Sequence, residues 1–140
     1  MGIQLNGLEG IVERLETYDD AQKFEAQLKK ACALVERAAK EKAPKGTGEL
    51  RRSITSEIKQ EGDNLLGVVF TPLEYAPYVE FGTGLFAEDG GRTDVPWRYQ
   101  DDRGEWHTTS GQHPQPFMRP AVDENREEIL RILREALKND

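Results

Sequence analysis

Cysteine is almost absent. Cys32 stands alone, which excludes an internal disulfide and suits a reducing compartment. It lies among apolar neighbours, the setting of a small core residue rather than a nucleophile. Histidine is scarce too. His107 and His113 are the only two, and six apart across a loop they lack the spacing of a zinc site. They read as residues for surface hydrogen bonding and packing. No apolar run reaches the length of a membrane span. The first six residues have neither a basic start nor an apolar core, so no secretory signal is expected there. There is no internal repeat, heptad run or low-complexity tract. Positive charge is in deficit: 19 Lys+Arg face 26 Asp+Glu, for a formal net charge of −7. That balance argues against general nucleic-acid affinity.

Catalytic groupings are missing as well. There is no nucleophile elbow, phosphate loop or metal-binding helix. Gly46-Thr47-Gly48 followed by Arg51-Arg52 fits no phosphate-loop spacing, and no strand leads into it. Glu74 and Glu80 resemble a carboxylate pair, but nothing sets their acidities apart, and both are expected in solvent. Asp101 and Asp102 read as turn residues. An enzyme is therefore not expected, nor a cofactor, a metal or a small-molecule substrate.

What remains is a single domain's length, 140 residues, with 36% hydrophobic and 32% charged side chains. That mixture supports a small core with extended arms. Charge is unevenly spread. Residues 23–52 hold nine Lys/Arg against four Asp/Glu, whereas residues 53–140 hold nine against seventeen. Such asymmetry describes either a solvated helix face or a basic part that meets an acidic part of a neighbour.

In chain order, Asn6 and Glu9 form a capping-box pattern before a helical stripe of Leu8, Ile11, Val12 and Leu15. Asp19-Asp20 opens a longer helix, with Asp20 as its cap. Its stripe is Phe24, Leu28, Ala31, Val35 and Ala38, flanked by Cys32 and Leu34, and it ends before Pro44. Thr47 caps a short turn carrying Leu50, Arg51 and Arg52. Residues 53–61 alternate, with Ile54, Ser56 and Ile58 on one face. After the turn at Gly62-Asp63-Asn64, residues 65–71 complete a β-hairpin. Trp97-Arg98-Tyr99 and Glu105-Trp106-His107-Thr108 form a second hairpin around Asp102-Arg103-Gly104. Phe117-Met118 returns to the core. The final helix starts with Pro120 at its first position and buries Val122, Ile129, Ile132, Leu133 and Ala136. Glu127 and Arg131 are spaced for an ion pair. This helix is expected to cover the sheet beside the long one.

The densest stretch is Glu74-Tyr75-Ala76-Pro77-Tyr78-Val79-Glu80-Phe81-Gly82-Thr83-Gly84. Pro77 starts a short helical turn, Tyr78 and Phe81 share its face, and Gly82 and Gly84 end it. Residues 85–95 follow as a polar, mobile arm. Two readings of this aromatic knuckle stay open: it plugs the core, or it faces a partner.

Taken together, Thr47-Gly48-Glu49-Leu50-Arg51-Arg52-Ser53-Ile54, the knuckle, and Gln115-Pro116-Phe117-Met118-Arg119-Pro120-Ala121 resemble the tail-component family of long-tailed bacteriophages, from about Phe24 to Leu137. The resemblance implies an α+β fold: a small antiparallel sheet packed by a long N-terminal and a C-terminal helix, with an extended arm and a second β-hairpin. Residues 1–140 would form one domain, with a helical extension over 1–19 and a flexible arm and hairpin over 85–115. It implies a structural virion protein of the neck or of tail completion, in a ring at the head–tail junction through which DNA passes without specific binding. A tail terminator or head-closure protein is the near alternative. A nucleic-acid-binding module using Lys45, Arg51 and Arg52, or a small hydrolase, represents a different class. The implied partners are copies of itself and neighbouring head-connector and tail proteins, in the virion and, during assembly, the host cytoplasm. Lys29, Lys30, Arg37, Arg51, Arg52, Tyr75, Tyr78, Phe81, Trp97, Trp106 and Phe117 are the candidate interaction residues.

Overall fold

The computed structural model describes residues 2–4, 18–62, 64–88, 90, 94–101 and 103–136. The helical stripe expected from Leu8 to Leu15, with its Asn6 cap, lies outside them. Contacts divide the chain into two compact units, one of Met1–Pro72 with Phe117–Asp140 and one of Leu73–Pro116.

The first unit is built on helix α1, Tyr18–Lys42. Phe24, Leu28, Ala31, Cys32, Val35 and Ala39 recur at helical spacing and are all buried, each larger side chain stabilising the fold by roughly 1.5–3 kcal/mol. The stripe runs through Ala39, not the expected Ala38, which is only half-buried. Ala43 still donates to the Ala39 carbonyl at 2.9 Å; Pro44, lacking an N–H, cannot continue. Gly48 (φ 83°) precedes the short helix α2, Glu49–Ser53, where the Thr47 hydroxyl accepts from the Glu49 N–H at 3.3 Å. Leu50 is buried, while Arg51 Nε donates to the Lys40 carbonyl at 2.9 Å and so caps the end of α1.

The hairpin is present as β2, Thr55–Glu61, and β3, Asn64–Phe70. A strand absent from the sequence reading, β1 at Gly2–Gln4, pairs with the other side of β3, giving the antiparallel order β1-β3-β2. Val69 stands opposite both Ile3 and Ser56. Helix α1 lies on β2 and β3. Their closest approach is at Gly67, where any Cβ would run into Cys32 Sγ and come within 3.1 Å of Leu28 Cδ1. Glycine is required there by proximity, since its φ is not positive.

The C-terminal segment departs from expectation in four ways. It forms two helices, α4 at Met118–Asp123 and α5 at Arg126–Glu135. The break at Glu124–Asn125 is held by Asn125 Nδ2 donating to the Ala121 carbonyl at 2.8 Å. Pro120 is third in α4, not first; its missing N–H falls among first-turn donors that have no helical partner in any case. Arg131 pairs with Glu128, not Glu127. Finally, α5 packs chiefly on α1, and α4 touches β1. Ile129, Leu133 and Ala136 are buried, and Gln27 Nε2 reaches the Ile132 carbonyl at 2.7 Å.

The second unit holds α3, Ala76–Phe81, a 3-10 turn at Gly84–Phe86, and the hairpin β4, Trp97–Gln100, with β5, Trp106–Thr109. Tyr99 stands opposite His107, and Gln100 opposite Trp106. The class is α+β, as the sequence implied.

Candidate functional site

Helix α3 begins at Ala76, one residue ahead of the expected Pro77, and its Gly82 C-cap donates to the Tyr78 carbonyl at 2.9 Å. Behind it runs the segment that returns from β5. Thr83 N–H donates to the Gln112 carbonyl and Leu85 N–H to the Ser110 carbonyl, each at 2.9 Å. Gln112 N–H donates to Thr83 Oγ1 at 3.0 Å, and Gln115 N–H to the Val79 carbonyl at 2.8 Å. These bonds tie the knuckle's trailing end to residues 110–115. Gly84 (φ 61°) makes this possible: a Cβ would clash with the Ser110 carbonyl and meet the Trp97 ring at 2.7 Å.

The knuckle so held turns its large side chains outward. Tyr78 is 60% exposed, Tyr75 40% and Phe81 39%, and Leu85 beside them is 58% exposed. Ala76 and Glu80 are the residues of α3 that are buried. Glu80 is thus a correction, since it was expected in solvent and is wholly enclosed. Glu74, by contrast, is exposed. Glu88 N–H donates to the Phe81 carbonyl at 2.9 Å, which sets a second exposed acidic residue at the far end of the knuckle.

The remaining candidates divide. Lys29, Lys30 and Arg37 are exposed on α1, Lys29 lying 3.7 Å from Glu25. Arg51 is committed to the Lys40 carbonyl, and Arg52 Nη1 lies 3.3 Å from the Thr47 carbonyl. Trp97 is half-buried against Gly84. Trp106 is 59% exposed, with the Arg98 guanidinium 5.0 Å from its ring centre. Phe117 is a correction: at 0% exposure it belongs to the core of the first unit. Leu85 and Tyr99 (45% exposed) were missed. Leu85 directly follows the glycines and was absorbed into the arm.

Other chemistry is thin among the described residues. Asp101, Glu105 and His107 bring three ligand-type atoms within 4.8 Å of one another. Asp101 is already engaged, because Oδ1 accepts from the Arg103 and Glu105 N–H groups and Oδ2 lies 2.7 Å from His107 Nε2. The His107 hydrogen bond, then that from Glu105, holds the Asp101 carboxyl below its ordinary value. The trio locks a turn. A cavity of about 200 Å³ is lined by Lys29, Cys32, Ser56, Glu57 and Ile58, smaller than the usual ligand pocket of ~300 Å³ or more. Burial, with Glu36 second, pushes the Cys32 thiol up to about 11, so no thiolate is available for nucleophilic chemistry.

The model of a family described as "Bacteriophage HK97-gp10, putative tail-component" matches residues 9–82, just over half of the chain. The chain belongs to this family. The part of this tail-component chain that is matched takes in α1, the first hairpin and the knuckle as far as Gly82. The second motif of the resemblance, Gln115 to Ala121, lies outside it. No curated protein and no solved structure matches the chain.

Proposed function

We propose that the chain is a structural virion protein of the phage head–tail junction, a neck or tail-completion component that enters a ring around the DNA channel. The exposure of Tyr75, Tyr78 and Phe81, inside the family-matched region, carries this reading. Large aromatics left in water on a hydrogen-bonded scaffold are characteristic of a contact surface. Each subunit of a ring needs two different, complementary faces. Its partners are further copies and the adjoining head-connector and tail proteins, and its place is the virion, reached from the host cytoplasm. DNA passes without specific binding, in keeping with the net charge of −7.

The test mixes the purified chain with connector-bearing heads and tails of the same phage, followed by negative-stain imaging. Joined particles with a ring of density at the junction are expected, and unjoined parts without the chain. Equal joining in its absence overturns the proposal, as does tight duplex binding at low salt.

A further inference from the structure

We infer that the aromatic knuckle of one subunit docks on the basic outer face of α1 of a second copy of this chain. The inference rests on the tail-component reading above and names the faces that meet. The first observation is charge. Leu73–Pro116 carries eight Asp/Glu against three Lys/Arg in the sequence. Exposed Glu74 and Glu88 sit at the two ends of the knuckle. On α1, Lys29 and Lys40 are answered locally by Glu25 and Glu36, each at 3.7 Å. Lys23, Lys30 and Arg37 are different. They are exposed, and neither Lys30 nor Arg37 has a carboxylate partner among the residues whose side chains are described.

The second observation is shape. Lys23, Lys30 and Arg37 are seven apart, so they form one stripe with about 10.5 Å between neighbours. Exposed Ala26 and Ala33 lie between them. An aromatic ring can rest on such a short side chain with a cation over its face. Tyr78 and Phe81, three apart on α3, present rings of the required kind. The contact joins two unlike faces, so it propagates from copy to copy, and this is the geometry a ring needs. Acidic ends meeting a basic stripe also set register and suppress wrong pairings.

The experiment uses the full chain and sedimentation velocity over a range of concentration and salt, with circular dichroism confirming that each variant is folded. Wild type should self-associate more weakly as salt rises. Lys30→Glu with Arg37→Glu, and separately Glu74→Lys with Glu88→Lys, should each weaken association by about tenfold or more. Mixing the two variants should restore it, because each altered face then meets its complement on the other protein. Tyr78→Ser should weaken association by about tenfold or more at unchanged salt dependence. Three results overturn the inference: a wild type monomeric at every concentration, charge variants that associate normally, or a mixture that stays apart. So does Tyr78→Ser blocking particle joining while self-association persists, since the knuckle then meets another protein. These failures leave particle joining by wild type untouched. Failure of joining with the copy-to-copy contact intact would instead strike the tail-component reading.

Discussion

The two units dispose of their large apolar side chains in opposite ways. Leu28, Phe117, Met118 and Leu133 of the first unit are at most 2% exposed. Among the described residues, every large hydrophobic residue that is exposed lies in Leu73–Pro116: Tyr75, Tyr78, Phe81, Leu85, Tyr99 and Trp106. The first unit therefore gains stability from apolar burial. The second is organised largely by backbone hydrogen bonds, glycine turns and the Asp101 network. Under the proposed function the contrast separates folding from assembly, and substitutions should sort accordingly.

The largest effect belongs to the core. Phe117→Ala should destabilise the first unit by about 3–5 kcal/mol, and Leu133→Ala by about 2–5 kcal/mol. Tyr78→Ser, at a site 60% exposed, should change stability by no more than about 0.5 kcal/mol. Urea titrations of the three variants, set beside their assembly behaviour, check the contrast directly. A Tyr78→Ser protein as unstable as Phe117→Ala would erase it.

Next is the helix–sheet contact at Gly67. Adding a methyl group there pushes on Cys32 and Leu28, so Gly67→Ala should cost about 1–3 kcal/mol. Truncating the sulfur in a Cys32→Ala background should relieve part of that cost. A double-mutant cycle on thermal or urea unfolding reads the coupling between the two sites. Additive effects would mean that the sulfur is not what excludes a side chain at Gly67.

How far the sequence foretold this division depended on the kind of signal. Helix α1 and the first hairpin were legible, because Phe24, Leu28 and Val35 keep the helical period and Ile54, Ser56 and Ile58 the strand period. The three-residue strand β1 was not, since Gly2–Gln4 is too short for any period to register. The kink at Asn125 was missed because the apolar stripe from Val122 to Leu133 runs straight across it. Periodicity reports which side chains are apolar, not how the backbone bonds between them. At the candidate site, composition located the knuckle but could not orient it. Tyr78 and Glu80 are two residues apart and face opposite environments, and the charged one is inside. Hydropathy alone would have assigned them the other way round.

A smaller expected effect concerns Cys32. A thiol raised to about 11 and 1% exposed should react with a disulfide reagent at pH 8 only as fast as the first unit opens. In denaturant it should react at the ordinary rate. Because the folded value lies above the unfolded 9.0, the stability linked to Cys32 is complete below about pH 9 and is lost as pH rises towards 11. Rapid labelling of the native protein would show that α1 does not seal this position.

The smallest effect is confined to the tip of the second hairpin. In the folded chain the His107 hydrogen bond, followed by those from the Glu105 and Arg103 N–H groups, holds the Asp101 carboxyl below its ordinary 3.8. The sign follows from which state binds the proton more readily, and here that is the unfolded one. The linked stability is therefore present above about pH 4 and is lost as pH falls through the lower folded value. Trp106 stands opposite Gln100, next to Asp101 in the chain, so its fluorescence should follow that loss. Asp101→Asn retains an oxygen able to accept the two backbone N–H groups but removes the titrating charge. Its fluorescence should lack the acid transition, while the urea midpoint of the first unit stays at the wild-type value. If the variant titrates like wild type, the transition belongs to another carboxylate. If the first unit weakens with it, the hairpin and the helical core are not separable in the way their apolar side chains indicate.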